Sequence, residues 1–185
     1  MSELSAGLLL VATPELLDPN FADAVVLLLD VDADGALGVV VNRPSPVLVG
    51  DVLGEWGEAA SEPEVLFRGG PVSTEGALAV GRLADPTAAP PGFRAVLGEV
   101  GVVDLDAPVA VVGAALRDLR VFAGYAGWGA GQLEAEVEEG SWYVVPGEPG
   151  DAFRADTRAL RRDVLRRQPG ELAWQATRPA DPALN

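Results

Sequence analysis

Four stretches of the chain gather residue types that could do chemistry. In FAGYAGWGAGQLEAE (residues 122–136), Gly124, Gly127, Gly129 and Gly131 are interleaved with Tyr125 and Trp128. Glycines between a strand and a helix can cradle a phosphate, but the dinucleotide fingerprint needs G-x-G-x-x-G. Here the order is G-x-x-G-x-G-x-G, and Glu134 falls where the third helical residue would take up the free N–H groups. Glu136, Glu138 and Glu139 add charge that repels an anion. A tight strand-to-helix turn therefore fits better than an anion site. Tyr125 and Trp128 either pack over the glycines or, if Trp128 faces solvent, form a contact surface.

DVDADG (residues 30–35) imitates the start of a calcium loop. However, the twelfth place is Val41 rather than Glu, and the flanks read as strands, so a hairpin turn is the better reading. Near the C-terminus, Arg158, Arg162 and Arg166 are four apart and would line one face of a helix. This basic face is either solvated, paired with the Glu-rich helix, or a docking surface for an acidic partner or nucleic acid. The pairs Asp104/Asp106 and Glu134/Glu138 could share a face each. With 28 acidic residues in the chain, such pairs arise by chance, and none is selected as catalytic.

Composition narrows the chemistry further. The 185 residues carry a formal charge of −15, with 13 basic residues, all of them Arg. His and Cys are also absent. That excludes a Ser–His relay, imidazole or thiolate metal ligation, Schiff-base chemistry and a P-loop lysine. No metal or cofactor is expected. A chain so acidic repels DNA unless a local basic patch overcomes the field, so direct nucleic-acid binding is not expected either. The N-terminus has no basic region ahead of its apolar run, and no apolar stretch approaches the roughly 18 residues of a membrane span, so a cytoplasmic protein without membrane contact is expected.

The elements that must position these residues follow from the apolar pattern. GLLLVA (7–12), AVVLLLDV (24–31) and LGVVVN (37–42) read as buried strands, the last two as a hairpin, with RPSP ending the third. VGDVLGEW (49–56) reads as a short helix. EVLFRGGPV (64–72) reads as a strand entering a Gly-Gly-Pro turn, GALAVGRL (76–83) as a strand, and FRAVLGEVGVVDL (93–105) as one or two more. Residues 106–119 read as a helix capped by Asp106, followed by a strand at 120–125, the glycine turn, and a helix stopped by Gly140. A strand at 141–146 and a helix over 156–170 complete a domain of residues 1–170, with an extended tail over 171–185. Irregular alternation with early hairpins predicts an α+β fold.

Taken together, DPNF (18–21), GALGVVVNRP (35–44), RGGPV (68–72), GYAGWGAGQLEAE (124–136) and the Trp of GSWYVV (140–145) resemble the YqgE/AlgH family of small bacterial proteins. The resemblance spans nearly the whole chain. It implies a bent, partly barrel-like mixed sheet with flanking short helices, and a family usually labelled transcriptional regulators for which no catalytic residues are established. Many members carry His near the positions of Asp30 and Val80, and this chain has none, so no His-based activity transfers. Many also have Leu-Trp where this chain has Leu160 and Arg161. The combined expectation is a non-catalytic binding or regulatory protein that contacts a protein partner or small ligand. The rival is a carboxylate-based enzyme or phosphate-ligand binder using the same loops. The contact residues expected are Asn20, Asn42, Arg43, Gly69, Gly70, Tyr125, Trp128, Gly129, Gly131 and Glu134, from loops that converge on the glycine turn.

Overall fold

The apolar runs near the N-terminus are continuous rather than alternating because their strands are covered on both faces. In a computed structural model of the chain, which describes residues 3–176, β1 (Leu8–Ala12), β2 (Val25–Asp32) and β3 (Gly35–Val40) form an antiparallel meander. Leu9, Val11, Val25, Leu27, Leu29 and Val39 enter one core, and the alternate residues Leu10, Val26, Leu28 and Val40 enter another. Two-residue periodicity thus feeds two cores from the same strands.

The chain continues through β4 (Pro44–Leu48), α1 (Val49–Leu53) with a 3-10 turn after it, β5 (Val65–Arg68), β6 (Val72–Leu83), and the hairpin β7 (Phe93–Leu97) and β8 (Val100–Val103). A short α2 (Val109–Val112) leads into the long β9 (Leu116–Gly129), followed by α3 (Gln132–Glu138), β10 (Trp142–Pro146), α4 (Leu160–Arg166) and α5 (Glu171–Gln175). The sheet order is β10-β1-β2-β3-β9-β6-β8-β7, with β4 and β5 attached beside β9. The sheet curls into a half-barrel with short helices on it, so the fold is α+β and one domain. One face of the whole sheet, including Phe67, Val80, Val100 and Phe122, packs around Leu160, Val164 and Leu165 of α4.

β9 joins the parts. Its first half pairs antiparallel with β6, from Leu116 against Leu83 to Ala123 against Ala77, and parallel with β5 at Phe122 and Ala123. Its second half pairs with β3, from Ala126 against Gly38 to Gly129 against Gly35. Most of the glycine stretch is therefore strand, not turn, and only Ala130 and Gly131 turn the chain into α3. Gly124, with Gly69 and Gly70 facing it, serves close backbone approach. A Cβ on Gly70 would collide with the Tyr125 carbonyl, and one on Gly69 with the Gly124 carbonyl oxygen.

Three further expectations are corrected. The helix over 106–119 is only Val109–Val112, and its N-terminal residue is capped without a side chain, because pairing with β6 claims the chain from Leu116 onward. The helix over 156–170 is only Leu160–Arg166. The tail expected to be extended from residue 171 begins with the α5 helix, with Leu172 packed on the main core. Residues 177–185 lie outside those described. β4 had no strand signal, since prolines at 44 and 46 deny it ladder donors. Among the described residues no helix is long and apolar enough to cross a membrane.

Candidate functional site

Three loops that bracket the sheet strands meet at one cleft. Pro19 and Asn20, Arg43 with Ser45 to Val47, Arg68, and Gly70, Pro71 and Thr74 contribute to a hollow of about 760 Å³ whose floor includes Ala123 of β9. The geometry comes from β4 and β5. Arg68 N–H donates to the Arg43 carbonyl at 2.8 Å, so the two arginines leave adjacent points of neighbouring chains. The Arg43 guanidinium is partly tied down: Nη2 donates to the Ala22 carbonyl at 2.6 Å and Nη1 to the Asn20 carbonyl. Burial is the main cause that lowers its pKa; Asp23 and Asp18 pull the other way, and the like charge of Arg68 adds to the lowering. It remains a cation at neutral pH. Arg68 is exposed and makes no side-chain hydrogen bond or ion pair within the described residues. Among the described residues, no Asp or Glu lines the cleft.

The remaining contact candidates separate into different roles. Asn20 lines the cleft, with its N–H held by Asp18 Oδ1 at 2.9 Å. Asn42 does not face it. Asn42 Oδ1 accepts from Val25 N–H at 3.0 Å and Nδ2 donates to the Asp23 carbonyl at 3.0 Å, so both ends of the amide brace β2. Gly69 is a bridge, donating to the Ala123 carbonyl at 3.0 Å and accepting from Val40 N–H at 2.9 Å. Gly70 lines the cleft. Tyr125 lies at two other hollows, one beside Asp30, Asp32 and Asp34 and one beside Asp104 and Asp106.

Trp128 is 6% exposed and belongs to an aromatic cluster rather than a surface. Phe21 stacks on it at 6.1 Å, and Trp142 meets both rings edge-on at 5.6 and 6.2 Å. Both indole N–H groups donate to Glu136 Oε1, at 3.3 Å from Trp128 and 3.1 Å from Trp142. The polar tip that a buried indole requires is thus met by one carboxylate. Glu134, expected to close the helix start, makes no capping bond. Gly131 occupies the N-cap at φ 75°, and Gln132 reaches back so that its Oε1 accepts from Gly129 N–H at 3.0 Å. The loops at 18–20, 42–44 and 69–71 therefore do not converge on Trp128.

The basic face breaks up in the same way. Arg158 precedes α4, so it does not share a helical face with Arg162 and Arg166. Those three are exposed, with Arg162 near Asp163 at 3.4 Å. The other arginines here are structural. Arg161 donates to the Ala12 carbonyl at 2.7 and 3.2 Å, and Arg167 forms a two-bond pair with Asp151 at 2.8 and 2.6 Å. No pair forms with the Glu-rich α3 among the described contacts.

Sequence reasoning missed Arg120, the largest of the fully buried side chains, at 1% exposure. Its guanidinium donates to five backbone carbonyls: Ser61 at 2.9 Å, Glu62 and Pro63 at 3.1 Å, and Ala152 and Arg154 at 3.3 Å. The group also lies 4.2 Å from the centre of the Phe67 ring. Burial pushes its pKa down to about 10, with Asp118 opposing. The only signal available was a single Arg between Leu119 and Val121 in an apolar strand.

A curled α+β half-barrel with one arginine buried for structure and two at a cleft defines the kind of molecule this is. The AlgH-like family model (DUF179) matches residues 9–173. A UPF0301 protein of Streptomyces coelicolor is 56% identical over 190 residues, covering 100% of this chain and 98% of that protein. The crystal structure of a Corynebacterium diphtheriae protein superposes with a TM-score of 0.89 at 30% identity, over 96% of this chain and 94% of that one. The solution structure of AlgH from Pseudomonas aeruginosa gives 0.67 at 26% identity, over 97% and 98%. This chain belongs to the AlgH-like family.

Proposed function

We propose that this chain is a non-catalytic cytosolic binding protein that holds an anionic group, on a small ligand or a protein partner, in the cleft between the loop at 18–20, β4, β5 and the segment at 70–74. The observation that carries the reading is the pairing of Arg43 and Arg68 in a hollow with no carboxylate in its lining, on a chain whose net charge is −15. A local cationic site on an acidic surface attracts a small anion and repels extended polyanions. Ser45 and Thr74 add hydroxyls that can donate to an oxyanion. The lining offers no general base, which supports binding over turnover. A regulatory role, as the family label has it, would then run through the occupant of this cleft rather than through an operator, because α4 has seven residues and its exposed arginines do not form a reading face.

Calorimetric titration with pyrophosphate tests this reading. One site per chain is expected, weakening as salt rises and lost in Arg43→Ala/Arg68→Ala. Absence of heat at low salt, or affinity unchanged in the double variant, would sink it.

A further inference from the structure

The lining of the cleft is not uniformly polar. Beside the two arginines, Pro19, Pro46, Val47, Leu66 and Pro71 present apolar surface to the same hollow. Val47 is 42% exposed, although it is a large hydrophobic side chain on a strand. Three of the five apolar residues are prolines, whose rings form a wall with little conformational freedom to lose on binding. The volume of about 760 Å³ is far larger than one inorganic anion and falls within the ordinary range for organic ligands. A bare phosphate would leave the apolar wall wet, whereas a wholly apolar ligand would bury the Arg68 guanidinium without a partner and leave the remaining donors of Arg43 unused.

Resting on the anion-binding reading above, we infer that the occupant is an amphiphilic organic anion: a single phosphate, sulfonate or carboxylate head on an aryl or branched hydrocarbon body. The head meets Arg43 and Arg68, and the body lies against Pro46, Val47 and Pro71. The bonds from Arg43 to the Asn20 and Ala22 carbonyls fix the direction of one cation. Arg68, with no side-chain partner among the described residues, is the one that closes on the head. No acid in the lining means that zwitterions gain nothing there over simple anions.

The probe pair is 8-anilinonaphthalene-1-sulfonate and N-phenyl-1-naphthylamine, which share a ring system and differ by the sulfonate. On the full chain, the sulfonate probe should bind one to one, about tenfold tighter than the neutral amine and about tenfold tighter than pyrophosphate. Arg68→Ala should weaken the sulfonate about tenfold and leave the amine unchanged, with the melting temperature unaltered. Val47→Asp should weaken both aromatic probes. If the amine binds as tightly as the sulfonate, or if Arg68→Ala leaves the sulfonate unchanged, the head is not being read and the inference falls. If pyrophosphate binds as tightly as the sulfonate, the cleft reads charge alone: anion binding stands and the amphiphile is overturned. If neither anion binds, both readings fall together.

Discussion

β5 has a differently used arginine at each end. Ahead of it, the carbonyls of Ser61, Glu62 and Pro63 are gathered by Arg120, whose guanidinium is enclosed and satisfied by five acceptors. At its far end, Arg68 stands in an open cleft beside Arg43, which has given two of its N–H groups to the protein. The side-chain chemistry is the same in both places, but the unused donor capacity differs. Arg120 has five N–H donors and five acceptors, so nothing remains for a ligand. The Arg43–Arg68 pair retains donors and is open to solvent. Burial alone would have drawn attention to Arg120, the most enclosed charge in the molecule. The count of unfilled donors points instead to the pair with less burial.

The contrast can be broken most severely at Arg120. Arg120→Met keeps most of the volume but leaves four carbonyls without donors, that of Pro63 still accepting from Val65 N–H at 2.7 Å, and should cost about 4 kcal/mol of unfolding free energy in a urea titration. A loss below about 1 kcal/mol would mean the cage relaxes around water, and the contrast with the cleft would collapse. Arg120→Lys, with three donors for five acceptors, should cost about 2 kcal/mol. The pH dependence has a definite sign. The folded pKa of about 10 lies below that of a free guanidinium. Proton uptake is therefore equal in both states below about pH 9, and the Arg120 contribution is flat there. Stability linked to this group rises only as pH climbs above about 10 toward the ordinary guanidinium value. An Arg120-dependent slope between pH 6 and 9, measured against the Met variant, would contradict a fully charged cage.

Arg43 falls between the two cases. Arg43→Ala removes the bonds to the carbonyls on either side of Phe21, and should cost about 1–2 kcal/mol. Because Phe21 packs on Trp128 and Trp142, tryptophan emission should shift to the red. An unchanged spectrum would show that the aromatic cluster holds the loop by itself. Arg68→Ala should leave stability within about 0.5 kcal/mol while weakening anion binding about tenfold. The smallest effect is expected from Arg158→Ala/Arg162→Ala/Arg166→Ala: no measurable change in stability, and no duplex DNA binding to lose across a salt series. Salt-sensitive duplex binding abolished by that triple change would reopen the basic face as a site.

The strands were legible where burial on both faces made the apolar runs continuous, as in β1, β2 and β3. The stretch from 106 to 119 was not, because Val112, Ala115 and Leu119 fit a helical spacing, although the strand read at 120–125 does lie within β9. The competing signal is the register of β9 on β6, a pairing across more than thirty residues that no local pattern contains. The glycines of β9 misled in the same way. The purpose of Gly124 is visible only once the backbone at Gly69 and Gly70 is laid against it and Tyr125, while Gly127 and Gly129 meet no such close approach. At the site, Asn20, Arg43 and Gly70 line one hollow, but it sits over Ala123, five residues before the tryptophan expected to anchor the loops. Trp128 and Asn42 looked like contact residues because they are polar-tipped and loop-adjacent. Both turn their polar atoms inward, to Glu136 and to the β2 backbone.

The position of β9 has a consequence for how the molecule is made. Without it, the sheet divides into three pieces: the meander of β1 to β3, the pair β4–β5, and the group β6–β8–β7. A ribosome that has translated the first 115 residues has delivered all three with their joining edges bare, and the first strand still lacks β10. Open strand edges are sticky, so the nascent chain must stay shielded until the late segment emerges. The protein therefore reaches its shape in one late step rather than by accretion from the N-terminus, and a message truncated before about codon 129 yields adhesive fragments instead of a smaller folded product.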